Sequence, residues 1–389
     1  MKKFLTPLIL GTALALPAFG AASAADDTLT IGVATAQTGS LAPFDGPVIE
    51  GFKIAVDEIN EAGGIDGKIK IETIDKDVRS DAAQTSIATQ ELVDAGVDVL
   101  VLPCDADPAF AAASISGAAQ IPAFSTCASS PTLPVMGGDY MFANFPGDNV
   151  QATVSAKWAF DQGHRSAYLL YSPDTQYTTL PLYFGDVFEA LGGKILGKAT
   201  YKLDQQDFSA EVTKIKALDP QPDVIMTSAY EPNFPAFIKQ LRAAGVTSQV
   251  IGSDGIDSPT TFSLGEAAEG VVFSTAGHPT AGSPLEKFNK LYEEKMGKKS
   301  ETVFNAIGYD LVQVIAAAVK EAGTTDSVAL RDAIANLENV QGATSLITYK
   351  GTMGMPVREV SLVRVKGGER ELVGQPSPDA DLIPAPRMQ

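Results

Sequence analysis

The sequence predicts an α/β protein with two doubly wound lobes, each built on a parallel sheet, joined by a hinge that the chain crosses several times. Three observations support this prediction. The chain has 389 residues, a length typical of two domains. Short apolar runs alternate with amphipathic stretches, which is typical of βαβ units. The alternation restarts near residue 167, and the helical portion that follows is too poor in strands to fold alone.

The first α/β segment begins with LTIGVA at residues 29–34, which predicts a buried strand. Apolar residues between 49 and 61 recur at helical spacing and predict a helix. The same reasoning predicts further strands over 70–75, 97–102 and 121–124, and helices over 80–95 and 108–119.

The second segment repeats this order, with strands over 167–171, 197–201, 224–228, 249–251 and 271–274, and helices over 183–191, 208–217 and 234–244. Helices over 285–295, 302–322 and 327–337 follow, and then a β-rich end at 359–365. Because these helices lack a sheet of their own, we expect the chain to return to an earlier lobe. We assign residues 25–146 and 275–345 to lobe 1, residues 147–274 and 346–374 to lobe 2, and residues 375–389 to a Pro-rich, poorly ordered tail.

The N-terminus has the pattern of a secretory signal peptide. Two lysines precede an apolar run over residues 4–19, and Ala22-Ser23-Ala24 offers the small residues after which signal peptidase cuts. The run is shorter than the roughly 20 residues that span a bilayer. We therefore expect residues 1–24 to be removed. No Cys stands at the cut, which argues against a lipid anchor.

The composition argues against several functions. A formal net charge of −18 repels nucleic acid and anionic lipid. His164 and His278 are the two histidines of the sequence, and neither has metal-ligand spacing. No Gly-x-Ser-x-Gly elbow and no phosphate-binding Gly-rich loop occurs. We predict no catalytic residue, no metal and no cofactor.

The loops that follow the strands are the place to look for a ligand. In open parallel sheets, ligands lie at the carboxyl ends of the strands. If two lobes face each other, those loops line a cleft between them. The loops are residues 36–47, 103–108, 125–131, 172–177, 228–232 and 252–257.

Several segments resemble the branched-chain amino-acid (Leu/Ile/Val)-binding family of periplasmic proteins. INEAGGIDGKIKIETIDKD, followed by DAAQTSIATQELVDAGVDVLVLP, matches the family's order of a helix end, a strand to an acidic pair, an amphipathic helix and a strand. QTGSLAPFDG, STCASSPTL, SPDTQY, VIGSDGIDS, AAEGVVF and FNAIGYDLVQVIAAAVKEAG complete the series. The resemblance covers essentially the whole chain after residue 24.

The resemblance implies the type I periplasmic binding protein fold, in which two hinged lobes close on an amino acid. Ala128 and Ser129 match the positions that hold the ligand carboxylate, and Asp254 matches an acidic residue that binds the ligand amine. The aromatic residues around the ligand match Phe44 on the first loop and Tyr177 and Tyr230 on the second lobe.

Asp105 departs from the family, whose members carry small hydroxyl residues or glycine just after the third strand. An aspartate there repels a carboxylate, so either it points away or the ligand is not an ordinary neutral amino acid. Asp105 is therefore a candidate ligand-binding residue that would contact a cationic group of the ligand, and capping of the next helix is the alternative role. For Asp107, which precedes Pro108, we expect capping to be the role.

The two cysteines, Cys104 and Cys127, lie in a chain that we expect to take an oxidising route. An even count with no other thiol favours one disulfide, with a free pair and metal ligation as alternatives. The family's disulfide joins the end of the third strand to the loop after the second, but here residues 75–79 contain no Cys. A bond to Cys127 would instead rigidify the loop that carries Ala128 and Ser129.

The expected function is therefore non-enzymatic capture of an amino acid or similar small polar metabolite by a monomeric periplasmic protein, which delivers it to the permease of an ABC importer. Ligand would favour closure because it contacts both lobes only in the closed form. One alternative is a sensor subunit that presents its ligand to a membrane receptor. Another is the same fold binding a carboxylate, an amide or a cationic metabolite.

Overall fold

The computed structural model describes residues 28–173 and 175–388, without the side chains of residues 175–178. The predicted signal peptide, residues 1–24, lies outside this part of the chain. Among the residues described, no helix has the length and apolar character needed to cross a membrane. The described chain folds around two sheets with helices packed against them, as the alternating pattern predicts.

The first sheet contains five parallel strands in the order β2-β1-β3-β4-β5. Its strands are β1 (Thr28–Thr35), β2 (Lys70–Asp77), β3 (Val99–Leu102), β4 (Ala123–Ser125) and β5 (Met141–Ala143). The helices between them are α1 (Ala42–Glu61), α2 (Ala82–Asp94), α3 (Ala106–Ala119) and α4 (Thr132–Gly137). The central strand β3 is buried along its whole length, as its run of Val and Leu predicts.

The second sheet repeats the strand order of the first. Its parallel part is formed by β6 (Ser166–Tyr171), β7 (Lys194–Thr200), β8 (Val224–Thr227), β9 (Gln249–Gly252) and β10 (Val272–Thr275), in the order β7-β6-β8-β9-β10. Its helices are α5 (Asp148–Asp161), α6 (Thr175–Ala190), α7 (Ser209–Lys216), α8 (Asn233–Ala243) and α9 (Pro259–Phe262). Both sheets are thus doubly wound, with an equivalent edge for ligands at the carboxyl ends of their strands.

The chain after β10 returns to the first sheet, as the shortage of strands predicts. Helices α10 (Pro284–Met296), α11 (Phe304–Ala322) and α12 (Ser327–Asn336) precede the short strands β11 (Val340–Gln341) and β12 (Leu346–Ile347). Residues of α11 and α12 share a core with β1 and β3. Helices α1 and α11 cross closely because each has a glycine at the contact. A Cβ atom at Gly51 would lie 1.7 Å from the Asn305 carbonyl oxygen, and one at Gly308 would lie 1.8 Å from that of Val48.

The last strands, β13 (Ser361–Lys366) and β14 (Glu369–Gly374), add to the second sheet as antiparallel strands. Within the described residues, the chain passes between the two sheets after β5, after β10 and before β13. Ile347 and Tyr349 pack in the core of the first sheet. The lobe boundaries stay a prediction, and we propose that the last crossing comes after residue 349.

Three parts of the chain differ from the sequence-based prediction. Helix α1 begins at Ala42 rather than at residue 49, and Pro43 lies in its first turn, where a missing N–H is not needed. Pro47 is also inside this helix, so the Gly/Pro-rich segment is not all loop. The prediction missed α4, β5 and α5, because short elements with small and polar residues give little periodic signal.

The prediction of a poorly ordered Pro-rich tail is wrong, because this segment is hydrogen-bonded to the rest of the protein. The Asn149 amide donates to the carbonyl oxygen of Pro384 at 2.9 Å. The Thr132 hydroxyl donates to the carbonyl oxygen of Arg387 at 3.0 Å. Buried polar partners on α4 and α5 thus fix a segment whose composition alone favours disorder.

Candidate functional site

The carboxyl ends of the two sheets meet at a cleft in which aromatic rings from both lobes are in contact. Phe44, in the first turn of α1, contacts Tyr230, which follows β8, with ring centroids 5.5 Å apart. Phe304, at the start of α11, packs against Phe44 at 5.8 Å. Phe44 and Tyr230 are both buried. Two of the predicted aromatic site residues are therefore brought together, whereas the side chain of Tyr177 lies outside the described part.

Asp45 holds together the three loops that the first sheet contributes to the cleft. Its fully buried carboxylate accepts hydrogen bonds from the N–H groups of Ala36 and Cys104, each at 2.8 Å. It also accepts one from the Thr126 hydroxyl at 3.1 Å. These donors follow β1, β3 and β4. Burial raises the pKa of Asp45 to about 7, against the lowering effect of these hydrogen bonds.

Cys104 and Cys127 form a disulfide, as the sequence predicts. The bond joins the loops after β3 and β4. A second link beside it is the hydrogen bond from the Ser125 hydroxyl to the Pro103 carbonyl oxygen, 2.7 Å long. The loop that carries Ala128 and Ser129 is therefore anchored twice to the loop after β3, at Ser125 and at Cys127.

The helix cap after β3 is Asp105 rather than Asp107, which corrects the expectation for Asp107. Asp105 has extended backbone angles, and its carboxylate accepts from the Asp107 N–H at 3.0 Å. Asp107 lies in the first turn of α3, where a negative charge favours the helix dipole. The sequence pointed to Asp107 because it precedes Pro108, but α3 begins at Ala106, two residues earlier.

Ser129 faces Asp148, a residue that the sequence analysis did not select. The carbonyl oxygen of Ser129 accepts from the Asp148 N–H at 2.7 Å, and the Ser129 side chain bonds to the Asp148 carboxyl. The Thr179 hydroxyl is a further donor to this carboxyl. Burial raises the pKa of Asp148 to about 6 although both hydroxyls oppose the shift. Ala128 is fully buried beside them, with its N–H directed at the Ser125 hydroxyl at 3.3 Å.

Asp254 lies after β9, at the start of a 3₁₀ turn, and is buried. Burial raises its pKa to about 7, and the negative charge of Asp148 contributes to the increase. The Gln151 side chain bonds to Asp254. Gln151 is oriented for this role because its carbonyl oxygen accepts from the Ser274 hydroxyl at 2.7 Å. The predicted residues Ser129 and Asp254 are therefore linked through Asp148.

The cleft thus contains two interacting carboxyls, and none of the ion pairs formed by the described residues involves Asp148 or Asp254. The neighbouring Asp257 differs, because it pairs with Arg370 at 2.6 Å. The ionised carboxylates of Asp148 and Asp254 attract a positively charged group and repel a negative one. The described residues contain no group of three side chains placed to hold a metal ion.

Asp45, Asp148 and Gln151 are the residues of the site that sequence reasoning missed. A signal existed for Asp148, since it follows Pro146-Gly147 at the start of a helix, where an acidic residue is favoured. Asp45 gives no such signal. Its three donors are between 9 and 81 residues away, so folding alone brings them together.

A family model described as "Periplasmic binding protein" matches residues 28–370. The chain belongs to the periplasmic binding protein family. The Leu/Ile/Val-binding protein BraC3 of Rhizobium johnstonii is 26% identical over 371 residues, which cover 93% of this chain and 97% of BraC3. The match confirms the resemblance predicted from the sequence motifs.

Solved structures agree with this assignment. The leucine-binding protein LivK of Thermotoga maritima is 26% identical, with a TM-score of 0.82 over 90% of this chain and 99% of that one. The isoleucine complex of LivJ from Streptococcus pneumoniae is 26% identical, with a TM-score of 0.80 over 90% and 100%. A Rhodopseudomonas palustris protein in complex with benzoate shares the fold, with 19% identity and a TM-score of 0.79 over 90% and 97%.

These findings confirm three predictions for this periplasmic binding protein. It has the two-lobe type I fold, it is a solute-binding protein of the Leu/Ile/Val-binding type, and it is not an enzyme. Proteins of this family bind small molecules and work with ABC transporter permeases.

Proposed function

We propose that this protein captures an α-amino acid with an apolar side chain and delivers it to an ABC permease. The observation that carries the proposal is the pair of buried, interacting carboxyls, Asp148 and Asp254, at the cleft. A buried ionised carboxylate is costly unless a positive group pairs with it. The ammonium group of an amino acid is such a partner, and Asp254 is its proposed acceptor.

Ala128 and Ser129 are the proposed binding site for the ligand carboxylate. They lie on the loop that the disulfide and the Ser125–Pro103 hydrogen bond hold in place. Such a rigid loop loses little conformational entropy on binding. The capping role of Asp105 supports the same proposal, because its carboxylate is engaged with the first turn of α3.

The aromatic contact predicts the character of the ligand side chain. Phe44, Tyr230 and Phe304 belong to one apolar cluster, which also contains Cys127 and has Cys104 packed against it. An apolar side chain gains about 25 cal/mol for each Å² that it buries against such a surface. Tyr177 is proposed to complete this surface. Two of the similar solved structures are a leucine-binding protein and a complex with isoleucine, which supports a ligand with an apolar side chain.

The decisive experiment is calorimetric titration of the purified protein with L-leucine, L-phenylalanine, benzoate, urea and putrescine at pH 8.0 and pH 5.5. An ammonium group needs Asp254 in its ionised form. Because the pKa of Asp254 is about 7, amino-acid affinity is expected to fall by about tenfold or more at pH 5.5. Binding of benzoate that strengthens at pH 5.5, with no amino acid bound at either pH, would overturn the proposal in favour of a carboxylate ligand.

A matched pair of variants tests the residue assignment. Asp254→Asn should weaken amino-acid binding by about 10–100-fold, because a charge-assisted hydrogen bond becomes a neutral one. Asp204→Asn removes the same charge at an exposed position of lobe 2 and should bind normally. Equal affinities for the two variants would exclude Asp254 as the amine acceptor.

Delivery to a permease is tested in cells by deleting the gene and measuring uptake of the radiolabelled ligand. Loss of high-affinity uptake, restored by a plasmid copy, is the expected result. Unchanged uptake would favour the alternative role of a sensor subunit.

A further inference from the structure

The C-terminal segment runs along α5 and ends between the two lobes. The Thr153 hydroxyl donates to the Leu382 carbonyl oxygen at 3.5 Å, and the Asn149 amide donates to that of Pro384 at 2.9 Å. Thr153 and Asn149 lie one turn apart on α5, so the tail follows the helix towards its N-terminus. This direction leads the tail to the cleft, where α5 begins.

Arg387 contacts both lobes at the end of this path. Its backbone N–H donates to the Tyr183 hydroxyl at 2.7 Å, and its carbonyl oxygen accepts from the Thr132 hydroxyl at 3.0 Å. Its guanidinium forms an ion pair with Asp186 and lies 5.5 Å from the centroid of the Tyr183 ring. The Thr132 and Tyr183 side chains also bond to each other.

The two residues that bond to the backbone of Arg387 belong to different lobes. Thr132 opens α4, whose Leu133 is in the core beneath the first sheet. Tyr183, on α6, is fully buried in the core that α5 and α6 share with the second sheet. Thr132 is also three residues from Ser129, the proposed carboxylate-binding residue. A contact at Thr132 is therefore next to the loop over residues 125–131, which carries the proposed carboxylate-binding residues.

We propose that residues 382–387 form an interlobe bridge, in which Arg387 is a positioning residue that stabilises the closed cleft and slows ligand release. The bridge acts mainly through the backbone of Arg387, because its main-chain N–H bonds to one lobe and its carbonyl oxygen to the other. The Asp186 ion pair holds that backbone in place. The predicted stabilisation of the closed form in the absence of ligand is independent of the proposed function. The predicted slowing of ligand release rests on that function.

The test compares the whole protein with a chain that ends at Pro378. A chain that ends at Arg387 is the control, since it loses only Met388 and Gln389. Spin labels at the exposed positions Ile87 in α2 and Lys214 in α7 report the distance between the lobes in the absence of ligand. We expect the chain that ends at Pro378 to lose closed population, while the control keeps it. An identical distance distribution in all three proteins would overturn the proposal.

Dissociation of L-leucine, followed by stopped flow, gives the second readout. Removal of residues 379–389 should raise the dissociation rate about tenfold, equivalent to about 1.4 kcal/mol, with little change in the association rate. If L-leucine does not bind even the whole protein, the proposed function fails, and the distance measurement still decides the bridge.

Point variants keep the test valid if the shortened chain does not fold. Thr132→Val removes the donor to the Arg387 carbonyl oxygen with little change of shape. Arg387→Ala removes the ion pair, and Arg387→Lys retains it. We expect faster release for the first two and near-normal release for Arg387→Lys. Equal release rates for Thr132→Val and the unaltered protein would contradict the bridge.

Discussion

Asp310 and Asp254 are both buried carboxyls, but their surroundings differ in charge. Asp310, on α11, forms an ion pair with Arg358, and neither side chain is exposed to solvent. It also accepts a hydrogen bond from the Thr344 hydroxyl at 2.5 Å. Asp254 instead faces the carboxyl of Asp148. One site contains its own positive charge, and the other does not.

The difference separates a structural site from the proposed binding site. Arg358 also donates to the carbonyl oxygen of Asn144, so the Asp310 site ties together two of the segments that cross between the lobes. Under the proposed function, the Asp254 site gains a neutralising charge only when the cationic group of the ligand enters. A buried carboxyl would then have a structural role at Asp310 and a ligand-binding role at Asp254.

The largest effect is expected from removing the positive charge at the structural site. Arg358→Ala leaves Asp310 buried without its partner, and such a change costs about 3–5 kcal/mol of unfolding free energy. Urea unfolding measures it. Arg364→Ala is the control, because its ion pair with Glu371 is partly exposed and should contribute less than about 1 kcal/mol. Equal losses for the two variants would contradict the structural role of Arg358.

The next effect concerns Asp45, a buried carboxyl whose donors are neutral. Asp45→Ala leaves the buried N–H groups of Ala36 and Cys104 without acceptors, which should cost about 2–4 kcal/mol of unfolding free energy. Asp77→Ala is the matched control for Asp45→Ala. Asp77 also accepts several hydrogen bonds, but it is half-exposed and water can replace it. A smaller loss for Asp45→Ala than for Asp77→Ala would show that burial is not the deciding factor.

At the proposed binding site, removal of a buried charge should stabilise the ligand-free protein. Asp254→Asn removes a carboxyl whose ionisation is opposed by burial and by Asp148. At pH 8 we expect a melting temperature about 2–4 °C higher, corresponding to about 1 kcal/mol, together with the weaker ligand binding described above. Differential scanning calorimetry with Asp204→Asn as control checks this. A lower melting temperature for Asp254→Asn would mean that Asp254 has a favourable partner in the ligand-free protein.

The remaining effect is the pH dependence of the unaltered protein. The pKa values of Asp254 and Asp148 are about 7 and about 6 in the folded protein, above the ordinary value of 3.8. The folded state therefore binds more protons than the unfolded state at intermediate pH, and stability should rise as pH falls from 8 to 5.5. His278 opposes this trend, because its pKa is lowered by burial. The difference between the unaltered protein and Asp254→Asn isolates the carboxyl. That difference should shrink at pH 5.5, and a constant difference would contradict the raised pKa.

Much of the site could be predicted one residue at a time, but its electrostatics could not. Motif resemblance pointed to Phe44, Ser129, Tyr230 and Asp254, and the structure places all four at the cleft. It gave no indication that Asp148 lies between Ser129 and Asp254. Asp148 is 106 residues before Asp254, and its raised pKa arises from burial, which is a property of the folded molecule.

The sequence by itself determined the repeated α/β order, the return of the chain after β10 and the pairing of its two cysteines. These features follow from local periodicity, from the shortage of strands and from a cysteine count. Only the tertiary structure decided which carboxyls face each other, that Asp105 caps α3 and that the Pro-rich tail joins the lobes at Arg387. These depend on contacts between distant segments, whose energies are set by burial and by the positions of buried polar partners.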